Sequence, residues 1–175
     1  MSASKSRLKA DLPKTGAFRK AWGHREPVLW AAVMVLLVSV QWPTLKGWYY
    51  RAAGTTAPAS AVVWRSDFDG ALAEARSTHK RVLVDFSASW CPPCIAMKHE
   101  VWPDPDVART IGASYVPLMV DADQDNGLSA RYQVEGIPAV LVLDGDGRIV
   151  KRNDGFLPRA GMLTFLGSPT GPGGN

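Results

Sequence analysis

The chain has 175 residues, enough for one ordinary domain with a short appendage and too few for a large multidomain enzyme. Apolar residues make up 46% and charged residues 21%, which supports a packed core and excludes wholesale disorder, while two cysteines exclude both a disulfide scaffold and a four-cysteine zinc site. The net charge of +4 belongs to the N-terminus: residues 1–26 hold seven Lys/Arg against Asp11 and Glu26, a net +5, and the remainder sums to −1, so the domain carries no argument for a nucleic-acid partner.

Residues 1–26 read as a basic cytoplasmic tail. The run Val28 to Val40 contains no charge, and it extends uncharged through Leu45, giving eighteen residues, the short end for a bilayer span. Trp30 and Trp42 lie near its ends, with Trp48, Tyr49 and Tyr50 beyond, where amphipathic rings suit the headgroup level. The expectation is a transmembrane signal anchor over 27–45. The basic flank stays in the cytoplasm and, in a bacterium, the rest crosses the inner membrane to the periplasmic side. A cleaved signal peptide and a buried core helix are the alternatives. No small-x-small site directly follows the apolar run, and a soluble core helix does not normally follow a basic tail marked by Pro and Gly. Residues 46–60 read as a linker, 61–166 as the folded domain and the Gly/Pro-rich 167–175 as a disordered tail.

Within the domain, Ala61–Trp64 is a short strand candidate. Asp67 can cap a helix running to about Thr78, with Phe68, Leu72 and Ala75 on one face. Arg81–Ser87 is a near-continuous apolar strand, implying a sheet covered on both faces. Trp90-Cys91-Pro92-Pro93-Cys94 opens a helix to about Val101, since proline is tolerated where backbone N–H groups have no intrahelical partner. A short helix from Asp106 to about Ile111 comes next. The strand Tyr115–Asp121 follows, and its Pro117 implies an early position, an edge or a bulge. A short helix (Leu128–Tyr132), a turn into a strand (Gly136–Leu143), a tight turn at Asp144–Gly147, a second hairpin strand (Arg148–Lys151) and a helix from Pro158 to Leu166 complete the chain. This order builds an α/β fold, a central mixed β-sheet flanked by helices, preceded by one N-terminal transmembrane helix.

Cys91 and Cys94 are three residues apart on one helical turn, close enough to bond to each other. Cys91 falls at the helix N-terminus, where free N–H groups and the helix dipole favour a thiolate; Cys94, one turn in, is more easily buried. An exposed thiolate that attacks a substrate disulfide and a shielded partner that resolves the intermediate follow from that asymmetry. A C-x-x-C can also be half of a metal site, but no other cysteine is present and His24, His79 and His99 are scattered. A purely structural disulfide closes too small a loop to constrain the unfolded chain much.

The segment Val84-Asp85-Phe86-Ser87-Ala88-Ser89-Trp90-Cys91-Pro92-Pro93-Cys94 resembles the active-site segment of the thioredoxin superfamily, and Gly136-Ile137-Pro138 resembles that family's cis-proline loop. Val101-Trp102-Pro103-Asp104-Pro105-Asp106-Val107 is similar to the stretch after the active-site helix in the C-terminal periplasmic domain of the DsbD reductases. The resemblance covers about residues 61–166 and implies a thioredoxin-like fold and a thiol:disulfide oxidoreductase. It makes Cys91 the nucleophile, Cys94 the resolving thiol and Pro138 a cis residue against the pair. Ile137 then offers its backbone to substrate, and Trp90 shields one side beside Pro92 and Pro93, a core tryptophan being its plainer alternative. Asp85, on an apolar strand, becomes the group that assists proton transfer; its plainer alternative is a strand-end acid facing solvent. The Pro-Pro dipeptide departs from thioredoxin's Gly-Pro. Lys98 stands where the DsbD-like domain usually has Glu; its charge could stabilise a nearby thiolate, but it is expected to face water.

The resemblance further implies a redox-active Cys91–Cys94 disulfide with no other cofactor or metal, and a monomer. Its substrates are protein disulfides, and it is recharged by a membrane-embedded thiol electron donor. A reductase is the expected activity, serving cytochrome c maturation or repair of periplasmic thiols, with Ile137 before Pro138 resembling the reducing members. A disulfide oxidant or isomerase is one alternative, and a redox-inert membrane-anchored binding or adaptor module is another.

Overall fold

The computed structural model describes residues 26–167, so the basic tail and the C-terminal tail lie outside the described residues, except at their inner ends. The chain divides into two compact units, Met1–Gln41 and Trp42–Asn175. Helix α1, Glu26–Ala52, carries the apolar run. It does not end at Leu45: it continues through Pro43 and Lys46 to Ala52, taking up the first part of the stretch read as a linker. Apart from Gly47, the residues Lys46–Ala52 have nothing that breaks a helix, and that glycine sits in a contact described below.

The remaining elements are α2 (Phe68–Thr78), β1 (Arg81–Ser87), α3 (Pro92–Glu100), α4 (Pro105–Ser114), β2 (Tyr115–Asp121), α5 (Asn126–Arg131), β3 (Ala139–Leu143), β4 (Ile149–Asp154) and α6 (Arg159–Gly167). Local chemistry sets the helix starts. Asp67, Asp104 and Asp125 each accept N–H groups of the following first turn, replacing the intrahelical partners those groups lack. The β3–β4 turn is closed by Asp144 Oδ1, which accepts from Asp146 N and Arg148 N, and by Gly147 at a φ of 79° that other residues rarely adopt.

The four strands form one mixed sheet in the order β2-β1-β3-β4, with β1 parallel to β2 and antiparallel to β3, and β3 antiparallel to β4. Pro117 lies in β2, an edge of this sheet, so its missing N–H falls where β1 does not need it. Its carbonyl points outward and accepts from Arg65 N at 3.0 Å. Arg65 makes a single bridge to Leu118, and Ala61–Trp64 is not a strand. Ser60 Oγ instead ties the segment into a turn by accepting from Val62 N, and the Trp64 ring packs edge-on against Trp102 at 5.0 Å.

The period of two along β1 divides the core. Val82, Val84 and Phe86 pack on one face with Ala71, Leu72 and Ala75 of α2. Leu83 packs on the other face with Met97 of α3, Ile111 of α4 and Met162 of α6. Asp85 falls in register with Leu83, beside Val140 of β3 and Met119 of β2, so its carboxylate is committed to the α3 side of the sheet.

Candidate redox site

The strand β1 ends at Ser87, and Ala88–Trp90 lead into α3, whose N-cap is Cys91. Pro92 and Pro93 fill the first turn, where their absent N–H groups cost nothing. Cys91 and Cys94 form a disulfide with Cα atoms 5.3 Å apart. Cys91 Sγ accepts from Cys94 N at 3.3 Å, so one free N–H of the helix start is already directed at this sulfur. The two cysteines do not differ in exposure as expected: Cys91 and Cys94 are each 2% exposed, packed with Ala88 and Ile137. The asymmetry lies in helix position, because Cys91 alone occupies the cap.

Ile137–Pro138 is a cis peptide, and the Ile137 carbonyl oxygen lies 3.7 Å from Cys91 Sγ. The Pro138 carbonyl accepts from Gly155 N at 2.7 Å, which fixes this loop to the end of β4. Trp90 is 53% exposed, so it is no core tryptophan. Its indole nitrogen donates to Asp123 Oδ2 at 2.7 Å, a partner the sequence did not single out.

Asp85 is 1% exposed, which removes the solvent-facing alternative. Its Oδ1 has no hydrogen-bond partner. Burial pushes its pKa up to about 7, opposed by the Lys98 charge and by a hydrogen bond from Trp102. Lys98, expected to face water, is half-buried, and its charge lowers the Asp85 pKa against burial. Trp102, itself 1% exposed, is a second residue whose part in the site was not foreseen. Among the described residues no group of three or more His, Cys, Asp or Glu could hold a metal ion, and His99 instead stacks on Tyr50 with ring centroids 4.0 Å apart. The disulfide itself is the redox centre.

The sequence profile of the thioredoxin-like domain matches residues 68–168. The chain belongs to this family. Its thioredoxin-like domain is 34% identical to a thioredoxin of Mycoplasmoides gallisepticum over 90 residues, 51% of this chain and 85% of that protein. It is 40% identical to the thiol:disulfide interchange protein DsbD 1 of Pseudomonas aeruginosa over 107 residues, 58% of this chain but 18% of that much longer protein. Among solved structures it is similar to a thioredoxin from Thermus thermophilus, with a TM-score of 0.54, 32% identity and coverage of 61% of this chain and 85% of that one. A reactive cysteine pair in this fold is a thiol:disulfide oxidoreductase centre. Among the described residues one helix, Pro27–Ala52, is long and apolar enough to cross a membrane.

Proposed function

We propose that the protein is a membrane-anchored reductase of protein disulfides, related in role to the C-terminal domain of DsbD. Residues 1–26 stay in the cytoplasm, 27–45 cross the membrane, 46–60 connect and 61–166 carry the chemistry, with 167–175 a tail. Reduced Cys91 attacks a client disulfide and forms a mixed disulfide. Cys94 loses its proton, attacks Cys91 Sγ and releases the client as a dithiol, leaving Cys91–Cys94 oxidised. Asp85 takes up and returns the proton of Cys94, a task suited to a carboxyl with a pKa of about 7. Ile137 pairs with the client backbone, while Trp90, Pro92 and Pro93 flank the approach. The clients are periplasmic protein disulfides, those of cytochrome c maturation included. A membrane-embedded dithiol restores the reduced pair.

The observation that carries this reading is the disulfide at the N-cap of α3, set 3.7 Å from the Ile137 carbonyl and backed by a buried acid. The test is the equilibrium reduction potential of the pair against glutathione. A reductase is expected to be more negative than about −230 mV, whereas a value near about −120 mV makes the protein an oxidant. A periplasm-dependent reporter fused after Asn175 checks the topology, and activity of a cytoplasm-only reporter instead would refute it.

A further inference from the structure

The last turns of α1 have two faces. Pro43, Gly47 and Tyr50, spaced i, i+4, i+7, are half-buried or buried, whereas Trp42, Trp48 and Tyr49 are 53%, 56% and 66% exposed. The covered face lies on α3 and on the loop leading into Cys91. A Cβ at Gly47 would run into the Pro92 carbonyl, so only glycine allows this approach. Lys46 Nζ and Tyr50 Oη both bond Glu100, at 2.7 Å and 2.9 Å, and the Tyr50 ring stacks on His99. Arg51 Nη1 donates to the Trp90 carbonyl at 3.3 Å, the oxygen of the peptide bond that joins Trp90 to Cys91. These contacts grip α3 at both ends: Pro92 next to the disulfide, and His99 and Glu100 at the close of the helix.

The uncharged run ends at Leu45, and Lys46 is the first charge after it. On the topology proposed above, residues 27–45 as a helix span about 28 Å, close to the hydrocarbon thickness, which would set the turns that follow at headgroup depth. Exposed Trp48 and Tyr49 suit that depth. Pro92 touches a glycine two residues past Leu45, and Cys91 is the residue before Pro92.

We propose that Trp42–Ala52 is a docking clamp that holds the Cys91–Cys94 pair at the bilayer surface for exchange with a dithiol embedded in the membrane. This rests on the reductase reading above and adds where and how the regenerating partner meets the domain. One thiolate of that dithiol attacks Cys91 Sγ and releases Cys94 as a thiolate. Its second thiolate then attacks its own sulfur of the mixed disulfide and releases Cys91. Two electrons and two protons pass to Cys91 and Cys94, and the partner is left as a disulfide. Gly47, Lys46, Tyr50, Arg51 and Glu100 act as positioning residues and take no part in bond making.

The test uses the full chain in liposomes, scoring outward-facing domains with a membrane-impermeant maleimide. The Cys91–Cys94 disulfide is reduced either by dithiothreitol in solution or by a dihydrolipoyl dithiol attached to a lipid headgroup. The wild-type chain is expected to favour the tethered dithiol. Gly47→Leu and Glu100→Ala are expected to lose about tenfold of that preference, as when the effective concentration of a tethered reactant falls away. Their rates with dithiothreitol and their circular dichroism stay within twofold and unchanged, respectively, which separates undocking from misfolding. An equal tethered-to-soluble ratio in wild type and both variants overturns the proposal. A wild-type chain that dithiothreitol reduces but that then fails to reduce insulin overturns the reductase reading instead.

Discussion

Cys91 Sγ lies 3.7 Å from the carbonyl oxygen of Ile137, a residue 46 positions later in the chain. The start of a helix and a loop before a strand thus meet, and in the proposed reaction a client disulfide that reaches Cys91 is expected to meet the Ile137 backbone at the same time. Cys94, one turn further into α3, contributes its N–H to Cys91 Sγ.

From this follows the order of attack. In Cys94→Ser the domain is expected to accumulate a mixed disulfide with a client through Cys91, resolved by mass spectrometry of the trapped adduct. Cys91→Ser is expected to trap at least about tenfold more slowly, because Cys94 lacks the cap position that favours a thiolate. Equal trapping by the two variants removes the assigned roles.

Asp85 makes stability depend on pH. Its pKa is raised from 3.8 to about 7 in the folded state, so between those values the folded chain holds a proton that the unfolded chain has released. Stability falls as pH rises through this window and levels off above it. Asp85→Asn removes the slope: relative to wild type it gains up to about 4 kcal/mol by pH 7.5 and little near pH 4. Urea unfolding in detergent at several pH values measures this, and parallel profiles for the two proteins would count against a buried, titrating Asp85.

Lys98 and Trp102 both hold the Asp85 pKa down against burial. Lys98→Met and Trp102→Phe should therefore each move the acidic limb of the exchange-rate profile to higher pH, read by stopped-flow thiol–disulfide exchange from pH 5 to 9. A shift to lower pH in either variant reverses the electrostatic argument.

Trp90 is exposed and held by its hydrogen bond to Asp123, and the proposed function places it beside the client. Loss of one such hydrogen bond is worth about 1 kcal/mol, so Asp123→Ala is expected to raise the KM for a protein disulfide about fivefold and to leave kcat with a small model disulfide nearly unchanged. A fall in kcat for both substrates with KM unchanged argues that Asp123 acts elsewhere.

The sequence by itself determined much of this protein, for reasons that are local. Cys91 can only fall at a helix start, because Pro92 and Pro93 fit a first turn and an apolar strand precedes them. The uncharged run and its aromatic flanks depend on composition alone, and the alternation along β1 is a backbone property that puts Asp85 opposite Val84. What the tertiary structure decided depends on partners distant in the chain. Ala61–Trp64 is apolar enough for a strand, yet β2 accepts only Arg65, and the Trp64 ring goes to Trp102. The burial of Cys91 comes from Ile137 and Ala88 folding over it. Lys98 and Trp102 bear on Asp85 only because α3 lies across β1. Arg51 reaches Trp90, and Lys46 reaches Glu100 over a separation of 54 residues, through a helix that continues past its apolar run. No spacing or periodicity encodes such contacts, because they arise when separately legible elements pack and their side chains find one another.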